Sequence, residues 1–299
     1  MKPNTKFSLL RLCRLNLRDK NWWRVTVIWI VTMLLRYGLS CLVLSTSLSP
    51  VRAQNGQGAR RPFIAGEVLQ YKVKWTYLRL GTVTITQTAT DSGLFLIHMS
   101  VRSNPSLPFV DVNFRNQSML SERSQSLTEE VITSGKDTGE KTVYWIDRAS
   151  RQLLMEDSLR GRRTRRDSLS WETECYDALG LLMLSRLSAG SGKSVSLPTL
   201  NDYKVNRTDV SYTNLREETD VPAFNARRRC VVVSGYAHWV GSSFAGMRGP
   251  FKGWFTDDEL AIPVRAEVDI LLGAITLELE SYHCPDSTGR TTTTTTAAR

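Results

Sequence analysis

Residues 69–77 read Leu69-Gln70-Tyr71-Lys72-Val73-Lys74-Trp75-Thr76-Tyr77. Every odd position carries a large apolar or aromatic side chain, and every even position a polar one. A period of two sustained over that length marks an antiparallel strand with one face buried and the other wet. The pattern continues downstream. Gly81 marks a turn or bulge, and Val83 and Ile85 then alternate with Thr82, Thr84 and Thr86. Asp91-Ser92-Gly93 is a turn, after which Phe95, Ile97, Met99 and Val101 form the next buried face.

The alternation loosens further along and returns near the end. Val110, Val112 and Phe114 alternate with polar residues, residues 118–131 read as further strand, 134–139 as a hairpin loop and 143–146 as strand. Residues 202–212 and 230–233 are strand candidates. Ile262, Val264, Ala266, Val268 and Ile270, then Ile275, Leu277 and Leu279 beyond Gly273, form two clear alternating runs. One segment differs. Residues 176–187 carry Ala178, Leu179, Leu181, Leu182, Met183, Leu184 and Leu187 before Gly190 and Gly192. That composition predicts a short, mostly buried helix with Asp177 helping to open it. The expectation is a mainly all-β domain, an antiparallel curved sheet forming an open barrel or sandwich with one short helix. The βαβ rhythm of a nucleotide-binding fold is absent.

The net charge of +10 suggests nucleic-acid binding until its location is considered. Residues 1–53 hold nine Lys and Arg against Asp19 alone, leaving 30 basic and 28 acidic residues of the chain's 39 and 29. A nearly neutral body argues against nucleic acid as a partner. The basic run Arg160, Arg162, Arg163, Arg165 and Arg166 is flanked by Glu156, Asp157 and Asp167. It reads as a solvated turn between two strands rather than as a contact for anionic headgroups.

Residues 1–53 read as a leader. An apolar run over 37–48 precedes Val51 and Ala53, which fit a signal-peptidase site, so cleavage would leave Gln54 first. The length is unusual, and a start at Met33 would give a signal peptide of ordinary size. The alternative is an inner-membrane anchor through residues 25–48, against which Arg36 stands mid-span. Residues 54–62 are expected to be a linker, 63–284 a single β-rich domain, and 285–299 a disordered Thr-rich tail. Export to the periplasm or cell envelope follows. Cys175, Cys230 and Cys284 then remain, with Cys230–Cys284 one pairing an oxidising compartment would permit and three buried thiols the other reading.

No catalytic, metal or cofactor signature emerges. His98, His238 and His283 lie outside any Gly-x-Ser-x-Gly context. Asp257-Asp258 sits in a turn too poor in further oxygen ligands for a calcium loop. Tyr71, Val73, Trp75 and Tyr77 on the first strand, with Leu277 and Leu279 on the last, would face inward if the sheet curls. They are candidate lining for a lipid, a lipoprotein acyl chain or another amphipathic ligand. A structural or protein-interaction module of the envelope with a filled core is the second reading. An enzyme acting on an envelope polymer is the third.

Four segments in order carry a resemblance. They are Gly66-Glu67-Val68-Leu69-Gln70-Tyr71 with Gly81 beyond it; Tyr176-Asp177-Ala178-Leu179; Val221-Pro222-Ala223-Phe224; and Gly253-Trp254-Phe255-Thr256-Asp257-Asp258 followed by Ile262-Pro263-Val264-Arg265. Together they resemble the bacterial envelope family called domain of unknown function 3108, over about residues 63–283. The resemblance implies export and a β-rich fold, and no settled activity. The same residues have structural readings. Pro222 and Pro263 suit strand edges or turns, Asp257-Asp258 a turn, and Trp254 a core or sheet face.

Overall fold

The computed structural model describes residues 60–107, 112–133, 140–147, 149–170, 174–201, 204–239, 248–270, 273–285 and 291–294. The leader, most of the linker and the 134–139 loop lie outside them. Eight strands come first: β1 (Val68–Trp75), β2 (Leu78–Ala89), β3 (Phe95–Ser103), β4 (Asn113–Leu120), β5 (Ser126–Thr133), β6 (Glu140–Asp147), β7 (Gln152–Leu159) and β8 (Arg162–Ser170). The helix α1 (Ala178–Ser188) follows. Then come β9 (Ser194–Asn201), β10 (Lys204–Val221), a 3-10 turn (Pro222–Phe224), β11 (Ala226–Ala237), β12 (Gly249–Thr256), β13 (Pro263–Ile270), β14 (Gly273–Pro285) and β15 (Thr291–Thr294).

The strands form one antiparallel sheet in the order β8-β7-β6-β5-β4-β3-β2-β1-β14-β13-β12-β11-β10-β9, with β15 paired to β14. The chain therefore starts in mid-sheet and meanders to one edge. It crosses through α1 to the other edge and meanders back, where β14 pairs with β1. Side chains show that the sheet is curled. Tyr144 and Ile146 of β6 and Leu153 and Met155 of β7 share one apolar cluster with Cys175 and Leu200 of β9, although β6 and β9 lie far apart in the hydrogen-bonded order. The outer edge of β9 is covered by the segment entering α1. Tyr176 N donates to Pro198 O at 3.0 Å, and Leu200 N donates to Tyr176 O at 2.8 Å.

Inside the curl lies α1. Leu179 and Met183 pack against Leu69 and Tyr71 of β1, Val83 and Ile85 of β2, Ile97 of β3, Leu120 of β4 and Leu279 of β14. Full burial of each such side chain is worth about 1.5–3 kcal/mol. Asp177 caps the helix, and Gly190 and Gly192, at φ 78° and 73°, turn the chain away after it.

Three expectations change in detail. Residues 118–131 are two strands, because a turn at 121–125 intervenes, held by Ser124 at φ 61° and a 3.0 Å bond from Ser121 N to Gln125 O. The Cys230–Cys284 bridge is not made: Cys175 and Cys230 are buried thiols and Cys284 a half-buried one. Four threonines of the expected tail pair as β15 with Tyr282–Pro285, in keeping with the strand preference of β-branched residues.

The helix approaches the β4–β5 turn so closely that only glycine fits at position 180. A Cβ there would stand 2.9 Å from Ser124 O and 2.8 Å from Ser126 Oγ. Alanine in a helix interior is favoured over glycine by about 1 kcal/mol. The backbone carbonyl of Ser124 cannot yield as a side chain would, so the clash should win. Gly180→Ala is expected to lower the urea unfolding free energy by about 1–3 kcal/mol. A gain of about 1 kcal/mol would show that the helix stands off from the turn.

Candidate functional site

One row of cross-strand neighbours on the inner face organises the interior. Gln87, Ile97, Ser118, Glu129, Tyr144 and Met155 stand side by side on β2 to β7. Glu67, immediately before β1, joins the row through the Gln87 N to Glu67 O bond of 3.1 Å. The helix lies against this row, with one polar network at each of its ends.

At the C-terminal end, Arg186 meets Glu67 in a bidentate pair. Nη1 donates to Oε2 at 2.6 Å and Nη2 to Oε1 at 2.9 Å, and both side chains are fully buried. Arg186 also donates from Nε and Nη2 to Leu260 O at 3.3 and 3.0 Å. Gln87 Nε2 donates to Glu67 Oε2 and to Pro62 O, and Tyr282 OH donates to Glu67 Oε1 at 3.3 Å. Burial works against the Arg186 charge, but the Glu67 carboxylate outweighs it and holds the guanidinium above its ordinary pKa. The pair thus ties the helix to β1, β2, β14 and the loop before β13.

At the N-terminal end lies a second buried cluster: Asn116 and Ser118 of β4, Ser124 and Ser126 of the following turn and strand, Glu129 of β5, and Asp177. Asp177 Oδ1 accepts from Gly180 N at 2.6 Å, and Asp177 N donates to Ser126 Oγ at 3.2 Å. Asn116 Nδ2 donates to Glu129 Oε1 at 3.0 Å. Burial first, then the nearby Asp177 charge, pushes the Glu129 carboxyl well above the usual range, with the Asn116 bond acting the other way. Burial likewise raises Asp177, opposed by donors at Gly180, Ser118 and Ser126. Asn116 Oδ1 and Ser124 Oγ are buried without a hydrogen-bond partner of normal geometry.

The residues expected to line a ligand site grade from core to surface. Tyr71 and Leu279 are buried among the helix contacts, and Tyr71 OH donates to Pro263 O at 2.7 Å. Burial raises the Tyr71 phenol far above its ordinary pKa. Val73 and Leu277 are neighbours on the inner face and half-buried, as are Trp75 and its neighbour Ile275. Tyr77 departs from the expectation. It is fully exposed in the turn after β1, because Thr76 at φ 53° ends the strand and breaks the alternation.

Other singled-out residues are structural. Asp258 Oδ1 accepts from Thr256 Oγ1, Leu260 N and Ala261 N at 2.8, 3.0 and 3.0 Å, as expected of an Asp in a turn. Asp257 pairs with Arg216 at 2.7 Å. Trp254 is a buried sheet aromatic whose Nε1 donates to Glu217 Oε2 at 2.6 Å. The arginines of the β7–β8 hairpin are exposed, with Arg163 facing Glu156 and Arg165 facing Asp167. His238 Nε2 lies 2.7 Å from Asp209 Oδ2 and 3.0 Å from Arg207 Nη2. Ser196 bonds the same Asp209 carboxylate.

The sequence reading missed Glu67, Arg186, Asn116, Ser118 and Glu129. A signal existed for the first two. Arg186 is a charge in the middle of a Leu-rich helical run, and Glu67 is an acid at the mouth of the clearest strand. Removing one partner of such a pair strands the other charge in the core. Arg186→Met should lower stability to urea by about 3–5 kcal/mol, and combining it with Glu67→Gln should recover part of that loss. A single variant that unfolds within about 1 kcal/mol of the parent would show that Glu67 is not desolvated.

Comparison with known proteins adds the following. A family model described as a protein of unknown function, DUF3108, matches residues 70–280. No curated protein matches the chain. Among solved structures, the crystal structure of a beta-barrel-like protein of domain of unknown function DUF1849 from Brucella abortus is similar in fold. The TM-score is 0.52 at 8% identity, covering 77% of this chain and all of that one.

Proposed function

This chain belongs to the DUF3108 family of proteins of unknown function, and from that premise we propose that it is an exported, non-enzymatic binding module of the cell envelope that holds an amphipathic ligand, a lipid or lipoprotein acyl chain. The observation that carries the reading is the burial gradient along the inner face. From Leu69 and Tyr71 through Val73 to Trp75, and from Leu279 through Leu277 to Ile275, apolar side chains run from full to partial burial as they leave the helix. A half-covered apolar row at the end of a curled sheet suits one alkyl chain, and the Trp75 ring suits the polar boundary of such a ligand. Export rests on the leader composition, with a charged start, an apolar run and Val51 and Ala53 before the proposed cut.

A second reading has its own support. Leu179 and Met183 fill the interior beside Leu69 and Leu279, so that part of the domain is an ordinary core. A structural or interaction module would need no more than that. Lipid extraction of the protein purified from its native envelope, followed by mass spectrometry, separates the two. The binding module should carry one amphipathic species in near-stoichiometric amount, and Val73→Asp should release it while the purified variant stays folded. Clean apo protein that also fails to take up a fluorescent fatty acid at micromolar concentration would leave the interaction module standing.

A further inference from the structure

The curled sheet has two edges, and they are treated differently. Beyond β9, the chain entering α1 bonds to the strand at Pro198 and Leu200. At the opposite edge, β8 pairs with β7 alone among the described residues. Four of the five arginines that read as a turn in the sequence, Arg162, Arg163, Arg165 and Arg166, lie on this edge strand. The turn itself is Arg160-Gly161, at φ 51° and 79°, a pair of left-handed residues that makes a tight two-residue hairpin.

Two features set β8 apart. It is bare on both faces: Leu153 and Met155 of β7 are buried, but every residue of β8 from Arg162 to Ser168 is exposed. The hairpin tip therefore stands beyond the core. Its arginines are also shared between the faces. A bulge at Asp157/Ser158 sets Arg163 and Arg166 across from Ser158 and Glu156 on one face, and Arg162 and Arg165 across from Leu159 and Asp157 on the other. The hairpin holds these arginines and Arg160 against three acids, Glu156, Asp157 and Asp167. Arg163 lies 3.7 Å from Glu156 and Arg165 2.9 Å from Asp167. The outer side of such a strand presents a row of backbone N–H and C=O groups, a template for another strand.

We propose that β8 takes up an extended acidic segment of a partner protein as a further strand of the sheet. Backbone hydrogen bonds along the open edge supply affinity in this mode of recognition. Side chains of an added strand alternate between the same two faces, so Glu or Asp on either face meets an arginine at cross-strand distance, where opposite charges attract. Two other occupants fit less well. A second copy paired through β8 would set arginine against arginine, which is destabilising. A flat anionic bilayer would meet the arginines of one face only. A charged edge keeps like strands apart, and here the same charges select an acidic one.

The test is fluorescence anisotropy of a labelled peptide as long as β8, nine residues, titrated with the full chain. The peptide is built from glutamate and threonine so that both of its faces carry acid. It should bind saturably at micromolar concentration, and the same peptide with lysine in place of glutamate should not. N-methylation of alternate amides keeps the charge and removes backbone donors, and on the side that meets β8 it should weaken binding by about tenfold or more. Arg162→Ser combined with Arg166→Ser removes one arginine from each face and leaves both ion pairs in place. It should weaken binding by about fivefold. The peptide changes leave the protein untouched, so a variant that misfolds does not decide the outcome. Absence of binding at about 1 mM peptide would overturn the proposal. So would N-methylated peptides that all bind as well as the parent, or phosphatidylserine vesicles that displace the peptide.

Discussion

Arg186 stands at the point where the helix, the centre of the sheet and the loop before β13 meet, and its guanidinium has no access to water. Such a group is tolerated only if every donor is used and an opposite charge lies against it. Glu67 meets the second condition, and Glu67 and Leu260 O together accept from all three guanidinium nitrogens, through four of the five N–H groups. The consequences reach the whole fold. Glu67 opens β1, β1 joins the two meanders through β14, and Gln87 of β2 and Tyr282 of β14 are drawn to the same carboxylate. A sheet of this many strands has many ways to curl. The bidentate pair selects the one in which α1 lies inside.

The opposite end of the helix is bound by different chemistry. Asp177 caps α1 and touches the β4–β5 turn through Ser126, and Gly180 lets the backbones approach. Apolar packing by Leu179 and Met183 lies between the two ends. The helix is therefore held by polar contacts at both termini and by burial along its length. Beyond its reach, Val73, Trp75, Ile275 and Leu277 on the inner face are half-buried.

Much of this was legible in the sequence. The alternation of residues 69–75 and 275–279 marks which side chains face inward, because inner positions there are apolar and outer ones polar. The helix was visible as a Leu-rich run with a cap and glycine stops. The polar cluster at its N-terminus was not, and the reason is physical. The inner positions of β4 include Asn116 and Ser118, and those of β5 include Glu129, beside the capping carboxylate Asp177. Polar residues at inner positions erase the period-two signal, so the stretch read as loose strand and its turn went unseen. Tyr77 fails for a local reason: one left-handed residue, Thr76, ends the alternation before it. The family segments fare well, since Glu67, Asp177 and Asp258 each turn out to hold backbone or helix in place.

The central claim is that helix and sheet form one cooperative unit because a buried ion pair joins them. Native-state hydrogen exchange measures that directly, since each amide reports the free energy of the opening that exposes it. The amides of Met183–Arg186 in α1 and of Tyr71 and Val73 in β1 should exchange with a single opening free energy equal to that of global unfolding. Helix amides that exchange through a cheaper, separate opening while the β1 amides keep full protection would contradict the account.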